Sequence, residues 1–162
     1  MKRDASLPRA VFEKKWKQVD ALLKSGVHLE SLDESGQTAL AYAAMKGNLA
    51  LVTKLIALGA KVNHSSPRWK DGPIHFASKH GFPRIVSALL EAGAQVDAKG
   101  FGDFSPLHYG VSGNHVAVVR VLLDAGANPK LKNTLKKTPG EYATARVAKL
   151  LDEHGERKKS HR

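Results

Sequence analysis

Residues 105–127, SPLHYGVSGNHVAVVRVLLDAGA, decide the architecture of this chain. Ser105 offers a side-chain oxygen to the orphan amides that open a helix, and Pro106 follows where a missing N–H costs nothing. A short helix therefore starts here and runs through Tyr109 and Gly110, a small residue that lets a neighbouring helix come close. Asn114 then occupies a turn that requires positive φ. Val119, Leu122 and Leu123 form an apolar stripe at helical spacing, so a second helix follows, and Gly126 closes it as a left-handed cap. The stretch reads as one helix–turn–helix unit.

The same unit recurs along the chain. Thr38-Ala39-Leu40, Gly72-Pro73-Ile74, Ser105-Pro106-Leu107 and Thr138-Pro139-Gly140 start units 34, 33 and 33 residues apart, and Ala5-Ser6-Leu7 starts a degenerate one 33 residues before the first. Gly47 and Gly81 match the turn at Asn114. Gly26, Gly59 and Gly93 match the cap at Gly126. The stripe returns as Val52, Leu55 and Ile56, then as Val86, Leu89 and Leu90. A fixed period of this length is the mark of a stacked repeat.

Ser105-Pro106-Leu107-His108, Gly72-Pro73-Ile74-His75, Gly59 to Asn63 and Gly93 to Asp97 together make the chain, over about residues 5–155, resemble an ankyrin repeat protein. The resemblance implies an all-α solenoid of stacked helix–turn–helix units with hairpin fingers between them. It divides the chain into an N-terminal capping unit (1–37), repeats at 38–71, 72–104 and 105–137, a C-terminal capping unit (138–155) and a basic tail (156–162) expected to be disordered. Departures concentrate at the ends, where a solenoid needs polar caps. Lys14 replaces the turn Gly, and Lys15, Lys17 and Lys24 cover the second helix, while Trp16, Val19, Leu22 and Leu23 keep its stripe. In the last unit Gly140 replaces the core Leu and Glu141 the His.

Composition narrows the function. The 162 residues are 42% hydrophobic and include no Cys, so disulfides and thiolate chemistry are excluded, and no run reaches the roughly 18 apolar residues of a membrane span. The net charge of +11 would point to nucleic acid if it were spread evenly, but residues 33–128 carry only nine basic against seven acidic side chains. The excess sits in the ends, where it serves capping and solubility, and nucleic acid is not the expected partner. Binding of an anionic polymer or membrane surface through the basic termini is one alternative, and a scaffold tethering two proteins is another. The start Met-Lys-Arg-Asp lacks the apolar stretch of a secretory signal; the expected compartment is the cytoplasm, or the periplasm or exterior if a leader was removed.

No catalytic constellation emerges, so the chain is expected to be neither an enzyme nor a holder of cofactor or metal. Of the eight His, His75 and His108 fall at the motif His and are expected to bond backbone between adjacent units, with His115 also structural. His28, His64, His154 and His161 are scattered through connections and the terminus, without zinc spacing. Gly100-Phe101-Gly102 lacks the preceding strand and third Gly of a dinucleotide fingerprint.

What remains is the surface that the repeat leaves free. The second finger places Arg68, Trp69 and Lys70 in a connection, and the third places Phe101, Asp103 and Phe104, beside Lys99. Aromatics with Arg in a small exposed cluster have the composition of a binding hot spot, with inward folding of the rings as the competing reading. Tyr42, Phe76, Tyr109 and Tyr142 recur on the first helices, a regular spacing that favours packing between units. If the hydroxyls of Tyr42 and Tyr109 reach the concave face they join Met45, Lys46, Lys79, His80 and Ser112 there. The resemblance implies that this groove and the fingers bind the partner. The expected function is recognition of a folded protein, an enzyme being one class of target, which this chain, a monomer when free, inhibits or sequesters.

Overall fold

In the computed structural model, which describes residues 6–160, the periodic pattern resolves into nine α-helices and no strand among those residues. Four pairs follow one another: α1 (Leu7–Phe12) with α2 (Trp16–Lys24), α3 (Ala39–Met45) with α4 (Leu49–Ala57), α5 (Pro73–Lys79) with α6 (Pro83–Glu91), and α7 (Pro106–Ser112) with α8 (Val116–Asp124). A short 3-10 turn, Pro139–Tyr142, and α9 (Ala145–Ser160) close the array. A second such turn, Phe101–Asp103, lies between α6 and α7.

Helix starts follow the capping residues. Thr38 Oγ1 accepts from the Ala41 amide at 3.2 Å and Ser105 Oγ from the His108 amide at 3.4 Å. Outer helices end in a shared closure, in which the amides of Ala60, Ala94 and Ala127 donate to Leu55, Leu89 and Leu122 at 2.9–3.0 Å. That bond requires a left-handed residue just before it, and Gly59, Gly93 and Gly126 supply φ of 91°, 88° and 90°.

The first helices α1, α3, α5 and α7, continued by Pro139–Tyr142, pack side by side as an inner row. Behind them α4, α6, α8 and α9 form the outer row, and α2 backs α1. Small buried residues, Ala39, Ala43, Ala44 and Ala77, let the inner helices approach closely, and a Cβ on Gly110 would stand 3.1 Å from Val118. Between the rows lies one continuous core running from Leu7 to Val147 and including Leu40, Leu55, Ile74, Leu89, Leu107 and Leu122. Backbone amides of Lys61, Gln95 and Asn128 donate to Glu30, Asn63 and Asp97 one unit back, at 2.8, 2.9 and 3.0 Å. The Asn or Asp of the Gly-Ala-x-Val motif is thus a stitch between units.

The ends differ from expectation in two places. Val19 is buried and Leu22 and Leu23 half-buried, but Trp16 is 42% exposed and leaves the stripe. It opens α2, a position only partly covered even in the inner units at Leu49, Pro83 and Val116, and no earlier outer helix among the described residues reaches it. The expected disordered tail is instead helical through Ser160; residues 161–162, like residues 1–5, lie outside the described part. Only Gly155 interrupts good helix formers there, at about 1 kcal/mol, and α9 is anchored by buried Val147. In the last unit Glu141 does the work of the missing His, its Oε2 accepting from the Thr138 amide at 2.6 Å.

Candidate protein-binding surface

Each connection between units is closed at its base by a backbone bond. Asp33 donates to Gln37 at 3.2 Å, Ser66 to Asp71 at 3.2 Å, Gly100 to Phe104 at 2.9 Å and Asn133 to Lys137 at 3.0 Å. Each hairpin turns through left-handed backbone, at Gly36 in the first, Lys70 in the second, Gly102 and Asp103 in the third and Lys136 in the fourth, with φ of 59°, 57° and 62° at Lys70, Asp103 and Lys136. The three that are not glycine carry a backbone cost of about 1 kcal/mol apiece.

In the first and fourth hairpins the opening side chain folds onto its own turn. Asp33 Oδ1 accepts from the Ser35 and Gln37 amides at 3.0 Å, and Asn133 Oδ1 from Leu135 and Lys137 at 2.9 and 3.1 Å. The other polar atom of each meets the Tyr nine residues on: Tyr42 donates to Asp33 at 2.6 Å, and Asn133 Nδ2 donates to the Tyr142 hydroxyl at 2.8 Å. In the third hairpin the opening residue is Gly100, which has no side chain to offer. Asp71 of the preceding hairpin fills the place. Its Oδ1 accepts from the Phe101 amide at 3.0 Å, and Tyr109, nine residues after Gly100, donates to its two oxygens at 3.1 and 3.0 Å. A Cβ on Gly100 would collide with that carboxylate.

Asp71 thereby clasps the second and third hairpins. Beside it the Trp69 and Phe101 rings meet at 5.7 Å between centroids, and the Arg68 guanidinium stands 5.0 Å from the Trp69 ring. Trp69 is 42% and Phe101 56% exposed, so this pair faces solvent while held in place from behind. Lys70 is exposed next to it, and Asp103 pairs with Lys99 at 3.5 Å. Phe104 does not join them. It turns inward, with centroids 5.3, 5.5 and 5.7 Å from His108, Tyr109 and Tyr142, because the hairpin closes through its carbonyl and points its ring at the inner row.

Of the two readings of Tyr42 and Tyr109, packing between units holds, and the placement of their hydroxyls in the groove as partner contacts is corrected. Both are spent on hairpin carboxylates. Burial, followed by the Asp33 hydrogen bond, pushes Tyr42 up to about 12, and burial with the Asp71 charge likewise raises Tyr109 from its ordinary value, so both remain neutral donors. Tyr42 is buried against Phe12, 5.0 Å between centroids. On the inner face Lys79, His80 and Ser112 are exposed, and Met45 and Lys46 half-buried. Three ammonium groups lie over rings: Lys46 at 4.3 Å from Phe12, Lys79 at 5.7 Å from Tyr109 and Lys137 at 5.6 Å from Tyr142.

The motif His rings tie inner helices to hairpins. His75 Nδ1 accepts from the Gly72 amide at 3.1 Å, which places the ring proton on Nε2, donating to the Ala98 carbonyl at 3.0 Å. His108 repeats the arrangement with the Ser105 amide and the Lys137 carbonyl, both at 3.1 Å. Burial holds both below the usual imidazole range. His115 Nε2 contacts the Lys79 carbonyl at 3.0 Å. Among the described residues no three His, Asp or Glu converge to hold a metal, and no helix is long and apolar enough to cross a membrane.

Sequence reasoning passed over Asp71, Gly100, Phe12 and Lys137. The first two left a trace: the third hairpin keeps the spacing of nine to its Tyr that the first and fourth show, but has Gly100 where they have Asp or Asn, while the second, from Ser66 to Phe76, keeps neither.

Two family profiles, both described as ankyrin repeats, match residues 47–133 and 7–56. The chain is 37% identical over 102 residues to the inactive serine/threonine-protein kinase TEX14 of Bos taurus, covering 60% of this chain and 7% of that protein. It is 31% identical over 93 residues to NF-kappa-B inhibitor delta of Mus musculus, 56% of this chain and 28% of that one. With inversin of Canis lupus familiaris it shares 29% over 126 residues, 76% of this chain and 12% of that one. It thus spans under a third of the length of each of these relatives.

Proposed function

The chain belongs to the ankyrin repeat family, and from that premise we propose that it binds a folded protein through its second and third hairpins and the adjoining inner face, blocking that partner without chemistry of its own. Repeats of this family are protein-binding modules. The observation that carries the finer reading is the pairing of Trp69 and Phe101 in the open, beneath Arg68. Two large rings and a guanidinium form the kind of anchor that dominates interface energies. The Asp71 clasp orders them before any partner arrives, so little conformational freedom remains to be lost on binding. Arg68, Trp69, Lys70 and Phe101 make the contact surface at the hairpin tips, and Met45, Lys46, Lys79, His80 and Ser112 continue it along the inner helices. The likeness to a protein named as an inhibitor supports blocking, with an enzyme as one suitable target.

The test is quantitative affinity capture from the source cells with the wild type, Trp69→Ala and, as a control, Leu58→Ala, an exposed residue just after α4 on the outer row. Trp69→Ala is expected to weaken retention of the partner by about 2 kcal/mol, roughly thirtyfold. Leu58→Ala is expected to retain it fully. Equal retention by Trp69→Ala would sink the assignment.

A further inference from the structure

The ends of α3 and α5 carry a cationic cluster that the aromatic pair does not explain. Of the carboxylates around the inner face, Asp103 is ion-paired with Lys99 and exposed Glu34 reaches Arg9 at 3.9 Å, while Asp33, Asp71 and Glu141 keep their charge and take hydrogen bonds from Tyr42, from Tyr109 and the Phe101 amide, and from Thr138. Glu13 is held by Arg9 at 2.9 Å and by Lys15 at 2.7 Å. Among the described residues, Lys46, Lys79 and Lys137 have no carboxylate within 4.0 Å. Each lies over a ring instead, an arrangement that holds the ammonium in place without an ion pair, although Lys137 also acts at longer range on Glu141.

His80 senses the result. Burial first, then repulsion from Lys79, His115 and Lys46, holds it below the usual imidazole range. A cationic field therefore spans the ends of α3 and α5. Lys46 and Lys79 stand at equivalent ends of neighbouring helices, and packed helices lie about 8–10 Å apart. Three residues of extended chain cover about 10 Å.

We infer that this face receives an acidic, extended segment of the partner, whose carboxylates run over Lys46, Lys79 and Lys137 while Trp69 and Phe101 hold the folded body. This rests on the protein-binding reading above and names the chemistry of what is bound.

The probe is a fluorescein-labelled 15-residue peptide with glutamate at every third position and Ser or Gly between, alongside its glutamine counterpart, read by anisotropy at roughly physiological salt. The glutamate peptide is expected to bind and the glutamine peptide not. Combining Lys46→Gln, Lys79→Gln and Lys137→Gln is expected to weaken binding roughly tenfold or more. The matched-charge variant Lys17→Gln, Lys24→Gln and Lys61→Gln, away from the inner helices, is expected to change it less than about twofold. In the wild type the His80 imidazole resonances are expected to shift with the glutamate peptide alone, a readout that needs no variant to fold.

Equal loss in both triple variants, or an unmoved His80, overturns the inference. So does a single-stranded oligothymidylate of equal charge that binds as tightly and shows the same dependence on Lys46, Lys79 and Lys137, since the face would then be one for nucleic acid. If the inner-face variant leaves the peptide bound while Trp69→Ala still releases the captured protein, only this inference fails. If Trp69→Ala retains the captured protein while the peptide behaves as expected, the hairpin reading fails instead.

Discussion

Asp71 and Gly100 are two halves of one position. The hairpin that needs an acceptor has none, and the acceptor arrives from its neighbour, 30 residues before Phe101, to take the amide and the Tyr109 hydroxyl. Gly100→Asp would press one carboxylate against another, and a loss of about 2–3 kcal/mol is expected. Asp71→Ser alone strands the Phe101 amide and the Tyr109 hydroxyl, at about 1–3 kcal/mol. Joined in one chain, the two changes rebuild the arrangement seen at Asp33, so the double variant is expected to recover most of the loss. A double-mutant cycle in urea should give a coupling of about 1–3 kcal/mol, and additive losses would refute the clasp. The sequence displays the gap at Gly100 because the nine-residue spacing to Tyr109 is intact. It does not display the filler, since Asp71 reaches it only after two units have stacked. Phe104 escaped prediction for a similar reason: nothing local distinguishes a finger ring that faces water from one that faces the next unit's His108 and Tyr142.

At the level of the element, α5 and α7 begin on a shared device, a neutral His ring bridging its own helix start to the next hairpin. Protonating Nδ1 would replace an acceptor with a donor facing the Gly72 or Ser105 amide. In the unfolded chain imidazole takes its proton near 6.5, whereas the folded rings of His75 and His108 are held lower by burial. The sign follows: the unfolded state binds more protons below about 6.5, so this stability is whole above that pH and is lost as pH falls toward the folded values. Urea midpoints should drop between about pH 7 and 5, above most of the carboxylate range. Combining His75→Asn and His108→Asn should lower the midpoint at pH 7 and flatten that slope; a slope left unchanged would contradict the assignment. A smaller gain is expected at the hairpins, where Lys136→Gly relieves a left-handed lysine and should add about 1 kcal/mol by the same measurement. Helix starts and stops were legible because capping residues, prolines and glycines act locally. The extent of α9 was not, since its anchor at Val147 depends on α8 lying beneath it.

For the whole molecule, contacts run from each unit to the next, and the core is a strip with two ends rather than a ball with one centre. Stability in such an array is a sum over units and their junctions, so the middle is held from both sides and the ends from one. Hydrogen exchange should find the slowest amides in α5, α6 and α7 and the fastest helical ones in α2 and α9. Equal protection along the chain would show the array to be a single cooperative block. The period made the stacking legible from sequence alone, whereas the gathering of Lys46, Lys79 and His80 depended on knowing how neighbouring inner helices stand side by side. The exchange between Asp71 and Gly100 has a further consequence for the history of the array. Duplicating, deleting or transposing the third unit would leave a stray carboxylate on one side of the new boundary or an unserved amide on the other. These two repeats can be inherited only as a pair, and a chain built of superficially interchangeable parts thus carries one seam that recombination cannot cut without penalty.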